Sequence, residues 1–461
     1  MKKIILSGIF CLIAAAFCSA QYTKLMDFNG TNGKNSEGSF ILSGKVLYGM
    51  TTGGGAYNYG LIFKIDTDGR GYKDLFEFND TNGAEPFGAL TQSDGVLFGT
   101  TAYGGAHNKG VLFRIDTNGT GFKDLLSFNG STNGLYPGSL TIAGGALFGE
   151  AAAGGAYGFG LIFKIDTDGT GYKDMIDFNR TLGADPAGPL TLSGSVLYGV
   201  ATGGGVHDHG VLFKVDTDGT GYKDLYDFND SSGLSPGGGL TQSGKVLYGV
   251  VWGGMGLAAI LFKIDTDGTG YNEFYDFWGS NGPFPFGSLN LSGGVIYGAT
   301  SPSDANAGTI FKIDTDGNNF ADLFTFDSFS GYPPANYLLL SGGVFYGMTY
   351  EGGTYGDGGV FKYDTANIAT DVNHLAANNS EWTIYPNPNN GVFTVSIRNY
   401  ESGIRNVAVF NVLGQQIYSS PYTIHNSPFT IDLSGQPNGI YFLKAVTEDG
   451  ETLTQKVSVV R

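Results

Sequence analysis

Cysteine is almost missing: the 461 residues hold two, Cys11 and Cys18, and both fall in the first twenty. A chain that loses that segment has no thiol, which excludes disulfides, cysteine metal sites and an oxidase built on a cysteine-linked tyrosine. Histidine (5) and tryptophan (3) are scarce as well, so few imidazoles are available for metal or proton chemistry. Positive charge is short, with 25 Lys and Arg against 42 Asp and Glu and a formal net charge of −17. A polyanion without a basic stripe is a poor nucleic-acid binder, and its charge reads as solubility. Beyond the first twenty residues no apolar run reaches the roughly eighteen needed for a membrane helix, so no transmembrane segment is expected.

Those first residues run from Lys2 and Lys3 through an apolar stretch, Ile4 to Phe17, to Cys18, Ser19 and Ala20. This is the pattern of a secretory signal peptide, residues 1–20, cut before Gln21. Lipid attachment at Cys18 fits less well, because bulky Phe17 precedes it. Glycine is abundant, at 77 residues, without a collagen period. It marks turns at fixed places in a repeat.

The repeat is carried by the phrase "FKIDTDGTGYKDL", whose leading phenylalanines are Phe63, Phe113, Phe163, Phe213, Phe262, Phe311 and Phe361. Their spacings are 50, 50, 50, 49, 49 and 50 residues. That length holds four short strands, here a, b, c and d, the size of one β-propeller blade. Strand c alternates Leu61, Phe63 and Ile65 with Ile62, Lys64 and Asp66, which suits a sheet buried on both faces. The c–d turn "DTDG" is a hairpin signal. The last repeat ends at strand c, "GGVFKYD", while the mature chain opens on an unmatched d strand, Tyr22 to Gly30. The expectation is an all-β fold: a seven-bladed propeller over residues 21–364, closed by that N-terminal strand so that no sheet edge is left at the seam.

The unit "LYGxTxGGGAxxxGxxFKIDTDG", as in Leu47 to Gly69, resembles the GloVer tandem repeat of secreted bacterial proteins. The resemblance implies a repeat domain joined to an export or anchoring tail and brings no catalytic residues with it. After a polar linker, residues 365–381, the segment 382–461 reads as a small β-sandwich domain. Its phrases "IYPNPNNGVFTVSI", "VAVFNVLGQQIY" and "NGIYFLKAVTEDGETLTQKVSVV" resemble the type A sorting domain of the type IX secretion system of Bacteroidetes. That resemblance implies partnership with the secretion machinery and a secreted product, extracellular or on the outer-membrane surface. The bland alternative is an ordinary immunoglobulin-like end domain.

In a four-stranded meander the b–c and d–a connections share one side. The b–c loops vary over a constant frame, as in "AYNYG", "VHDHG" and "MGLAA", which is how a rigid scaffold carries recognition. Aromatic residues gather in these loops: Tyr57, Tyr59, Tyr157 and Tyr355 in b–c, and Tyr136, Phe284, Phe286 and Tyr332 in d–a. Trp252 begins the fifth b–c loop, and Trp278 replaces the usual Asn after Phe277. Such rings suit sugars or protein partners, or else fill space between blades. His107, His207 and His209 are candidate ligand contacts on the same face. Two imidazoles two residues apart can hold a transition metal only with a third ligand from a neighbour. Weak calcium candidates are Asp66 with Asp68 and Asp166 with Asp168, where the alternative is a plain Asp-Gly hairpin.

No catalytic set converges, and no cofactor is expected. The clearest breaks in the repeat are the fifth and sixth b–c loops, with Met255, Ala258 and Asp304 rather than reactive groups. The function expected is a non-enzymatic propeller that binds glycan or a surface protein. The alternative is an extracellular polysaccharide hydrolase or lyase on the same scaffold.

Overall fold

The computed structural model describes residues 22–253, 259–277, 285–301, 308–334, 337–365, 381–385, 389–398, 404–411, 415–420, 429–447 and 452–460. The chain divides into two compact units, Met1–Thr365 and Ala366–Arg461. The proposed leader, residues 1–20, lies outside the described residues.

The first unit is a propeller-like succession of antiparallel sheets, each an open path of strands in the order a-b-c-d. The first sheet pairs Ile41–Ser43, Val46–Thr51, Leu61–Asp66 and Lys73–Glu77, and five more follow it along the chain. In a seventh sheet, Tyr332–Pro334 and Leu339–Ser341 pair with Val344–Glu351, and Val344–Glu351 with Gly359–Asp364. Its outer strand is Tyr22–Asp27, in the register Tyr22↔Tyr363 to Asp27↔Gly359. The Phe28 N–H extends this pairing to the Gly358 carbonyl at 2.9 Å.

One cross-strand pair explains why the sequence folds this way. In every sheet the strand-c phenylalanine lies opposite a strand-b glycine: Gly49↔Phe63, Gly99↔Phe113, Gly149↔Phe163 and so on to Gly347↔Phe361. A Cβ on Gly149 would meet Phe163 Cζ at 2.6 Å, so the glycine is there to make room for the ring. Phe63, Phe113, Phe163 and Phe213 are 0% exposed.

The same ring then meets a phenylalanine from strand d of the preceding sheet. Phe78 and Phe113 stand 5.4 Å apart, Phe128 and Phe163 5.5 Å, Phe178 and Phe213 5.4 Å, and Phe228 and Phe262 5.4 Å. Phe277–Phe311 and Phe326–Phe361 repeat the contact at 5.2 Å. Phe28, from the borrowed strand, makes it with Phe63 at 5.5 Å. Around each pair gathers an apolar cluster drawn from two sheets; Phe28, Leu47 and Phe63 share theirs with Tyr346, Met348 and Val360 of the seventh sheet.

The second unit has a three-stranded sheet, Glu381–Tyr385, Val392–Arg398 and Phe429–Asp432, and a four-stranded one. Val395 and Ile431 of the first share one core with Val407, Leu443 and Val457 of the second.

Truncating Phe28 removes the ring that the borrowed strand brings to the first sheet's Phe63. Phe28→Ala is expected to destabilise the protein by about 3–5 kcal/mol, the usual range for a fully buried phenylalanine, read from urea unfolding. A loss below about 1 kcal/mol would show that the N-terminal strand carries no packing.

Candidate functional site

The loops of the b–c and d–a side are braced by a recurring strained residue. Asn35, Glu85, Tyr136, Asp185 and Ser235 occupy one position of the repeat, the second residue of strand a in all but the first sheet, where Asn35 precedes the strand, and all have φ between +50° and +60°. A non-glycine residue rarely adopts this conformation, which costs on the order of 1 kcal/mol or more. The backbone supplies a return: Glu85 N–H donates to the Tyr59 carbonyl at 3.0 Å, Asp185 to Phe159 at 2.9 Å and Ser235 to His209 at 2.9 Å. Asn35 does the same with Asp357 of the seventh sheet at 3.2 Å. Four of these five residues are thereby tied to the b–c loop of an adjoining sheet.

Residues of strands a and b, with loop residues of the first sheet, line a cavity of about 580 Å³ that draws on the first four sheets and the seventh. Its lining includes the carboxylates Glu37, Glu85 and Glu150, the rings Phe87, Tyr103, Tyr136 and Tyr350, and one lysine, Lys34. Tyr103 and Tyr136 meet edge-on with ring centroids 5.4 Å apart. Burial, and then the Glu85 charge, raise the Glu37 carboxyl. Burial followed by the charges of Glu37, Glu351 and Glu85 pushes the Tyr350 phenol up. The mouth is electronegative and aromatic.

Glu150 is its most unusual residue. The strand-b position it holds is Met50, Thr100, Val200, Val250, Ala299 and Met348 in the other sheets, small or apolar side chains throughout. Glu150 is 3% exposed. Its Oε1 accepts the Ser139 N–H at 3.1 Å, and Oε2 has no hydrogen-bond partner among the described residues. A Cβ on Gly138 would meet Oε1 at 2.1 Å, so only glycine lets the carboxylate lie there. Burial raises the Glu150 carboxyl to about 8, only partly opposed by its backbone hydrogen bonds. Across the unit, burial and the Glu150 charge raise the phenol of Tyr337, which precedes strand a of the seventh sheet.

Of the residues singled out from sequence, the cavity takes few. Tyr136 lines it, while Tyr57 (58% exposed), Tyr157 and Tyr355 stand out from loop tips. Tyr59 and His209 serve through the backbone carbonyls described above. His107 and His207 are exposed, and His209 Nε2 lies 2.9 Å from Asp230 Oδ1. Asp208, between the two imidazoles, is paired with Arg180. Trp252 is exposed at the end of strand b in the fifth sheet and Tyr332 is half-buried; neither lines the cavity. Trp278 and Phe284, and the side chain of Phe286, lie outside the described residues.

The paired aspartates close hairpins. Asp68 Oδ1 accepts the Arg70 N–H at 3.0 Å, and Asp168 Oδ1 accepts both the N–H and the hydroxyl of Thr170. The Gly69 and Gly169 N–H groups donate to the Asp66 and Asp166 carbonyls. Among the described residues no three His, Cys, Asp or Glu gather closely enough to hold a metal ion.

Sequence reasoning passed over Glu150 because it sits inside a strand rather than in a variable loop. A signal was there: "LFGEAA" puts a carboxylate in a column of Met, Thr, Val and Ala.

The Gloeobacter/Verrucomicrobia repeat matches residues 11–149, 138–306 and 252–393, most of the chain. The chain belongs to this repeat family. A secretion system C-terminal sorting domain matches residues 383–460. That domain, of the type IX system, indicates secretion and a cell-surface or extracellular location, and implies contact with the secretion machinery. No curated protein matches in sequence. Among solved structures, this member of the repeat family is similar to an oligogalacturonate lyase from Vibrio parahaemolyticus. The identity is 12%, the TM-score 0.50, and 74% of this chain and 93% of that one are covered. It is similar also to a GH74 enzyme from Niastella koreensis, at 12% identity and a TM-score of 0.51, over 96% of this chain and 75% of that one. At such identity the likeness concerns the fold alone. Among the described residues no helix is long and apolar enough to cross a membrane.

The raised Glu150 carboxyl has a pH signature. The folded protein holds this proton above the pH at which an unfolded chain releases it, so the native state binds more protons between the ordinary carboxylate value and about 8. The stability that Glu150 confers is present below that window and is lost as pH rises through it. Glu150→Gln is expected to match wild type in urea unfolding near the acid end and to exceed it by a few kcal/mol above about 8. Parallel curves at every pH would contradict the assignment.

Proposed function

We propose that this repeat protein is an exported, non-enzymatic binding propeller that takes a saccharide at the mouth formed by its b–c and d–a loops. The observation that carries this reading is the cavity itself, where rings from the second, third and seventh sheets stand beside carboxylates on one rigid frame. Aromatic faces cover the apolar sides of a sugar ring and carboxylates accept from its hydroxyls. A mouth with three glutamates and one lysine disfavours polyanionic chains.

The scaffold in this reading is a closed ring of seven blades over residues 21–364. Support comes from the Tyr22–Asp27 pairing, from the Phe28–Phe63 contact that matches its six counterparts, and from the effect of the Glu150 charge on Tyr337. Residues 1–20 act as leader, 365–381 as linker and 382–461 as the sorting domain.

One observation favours a second reading, a polysaccharide-active enzyme. Glu150 keeps its proton near neutrality beside other carboxylates, as a general acid must. Against it, Glu150 is deeply buried with one oxygen bound to the Ser139 N–H.

A glycan array probed with the exported chain separates these readings. Binding is expected to weaken at least about tenfold in Tyr136→Ala, which loses an aromatic wall, and to persist in Trp252→Ala. Binding lost only in Trp252→Ala would move the site to the fifth sheet. Shortening of any polysaccharide on incubation would make the protein an enzyme.

A further inference from the structure

The cavity described above has a charge its own residues do not balance. Among the described residues the lining holds the carboxyl groups of Glu37, Glu85 and Glu150 and one cation, Lys34; Glu150, protonated near neutrality, ionises as a cationic ligand approaches. Glu150 Oε2 is buried in that lining and has no hydrogen-bond partner among the described residues. A buried acceptor left unsatisfied is costly, and a ligand that brings a donor recovers that loss. A cationic donor recovers more, since a charge-assisted hydrogen bond is about twice as strong as a neutral one.

The walls say which cation. Phe87, Tyr103, Tyr136 and Tyr350 offer ring faces and edges, and aromatic faces attract organic ammonium groups. A compact metal ion needs several ligands within one small sphere, and no such group of three exists among the described residues. An ammonium group borne on a sugar ring spreads its demands: its charge goes to a carboxylate and its ring to the aromatic wall.

Resting on the saccharide reading, we infer that the ligand is an amino sugar with a free, charged amine, and that Glu150 Oε2 accepts a hydrogen bond from that ammonium. The Ser139 N–H stays on Oε1, so the carboxylate is oriented before the ligand arrives. Glu85 and Glu37, nearer the loops, add long-range attraction.

A matched pair of probes tests this: a glucosamine hexamer, charged, and the N-acetylglucosamine hexamer, neutral, titrated calorimetrically into the full exported chain. The glucosamine hexamer is expected to bind about tenfold or more tightly than its acetylated twin. Glu150→Gln is expected to bring the two close to parity, chiefly by weakening the charged hexamer. Glu150→Thr, which copies the residue of the neighbouring sheet, serves equally if the amide fails to fold. Equal or tighter binding of the acetylated hexamer would overturn the inference and leave the saccharide reading standing. Spermidine binding as tightly as the glucosamine hexamer would overturn the saccharide reading instead, since charge alone would then suffice. A charge preference that survives both Glu150 substitutions would remove Glu150 from the site.

Discussion

The structure depends on one contact made again and again: a strand-c phenylalanine, seated over a strand-b glycine, meets a strand-d phenylalanine of the sheet before it. The glycine gives the ring a slot, and the incoming ring gives it a partner. Each such pair lies 5.2–5.5 Å apart, within the range that edge-on aromatic contacts prefer. Neither half suffices alone. A side chain in the slot would expel the ring, and an empty strand d would leave the ring facing water. Hence the value of the N-terminal strand, which brings Phe28 to Phe63 and gives the first sheet what every later sheet receives from its predecessor.

A frame this regular frees one side of the molecule for variation. On the loop side Asn35, Glu85, Asp185 and Ser235, with φ near +55°, are held by main-chain hydrogen bonds, so the side chains there can change without moving the backbone. That is why Asn35, Glu85, Tyr136, Asp185 and Ser235, five chemically different residues, stand at equivalent points. Three of them, Asn35, Glu85 and Tyr136, line the cavity. Backbone strain at a repeated position marks where a fold has given up some stability to present side chains.

Glu150 adds a second concession. A carboxylate buried among residues that are otherwise Met, Thr, Val or Ala at that position weakens the sheet as it ionises. Such a group persists where it is used, because an apolar replacement packs better. The exposed Asp208–Arg180 and His209–Asp230 pairs, by contrast, lie in solvent where ion pairs contribute little.

The period, the four strands of each repeat, the unpaired N-terminal d strand and the sorting tail were all legible in the amino-acid order. Each is a local pattern: alternation, turn residues and a phrase that recurs. The loop side was legible too, because meander connectivity puts the b–c and d–a turns together whatever the loops contain. What only the tertiary structure decided is which loop residues face inward. Tyr57, Tyr157 and Tyr355 belong to the same class of residue as Tyr136, yet they point outward from loop tips while Tyr136 lines the cavity. The identity of a side chain does not say how a curved array of sheets will aim it. Burial and the charge of Glu150 raise the phenol of Tyr337, 187 positions away in sequence, a relation that no local pattern in the amino-acid order announces.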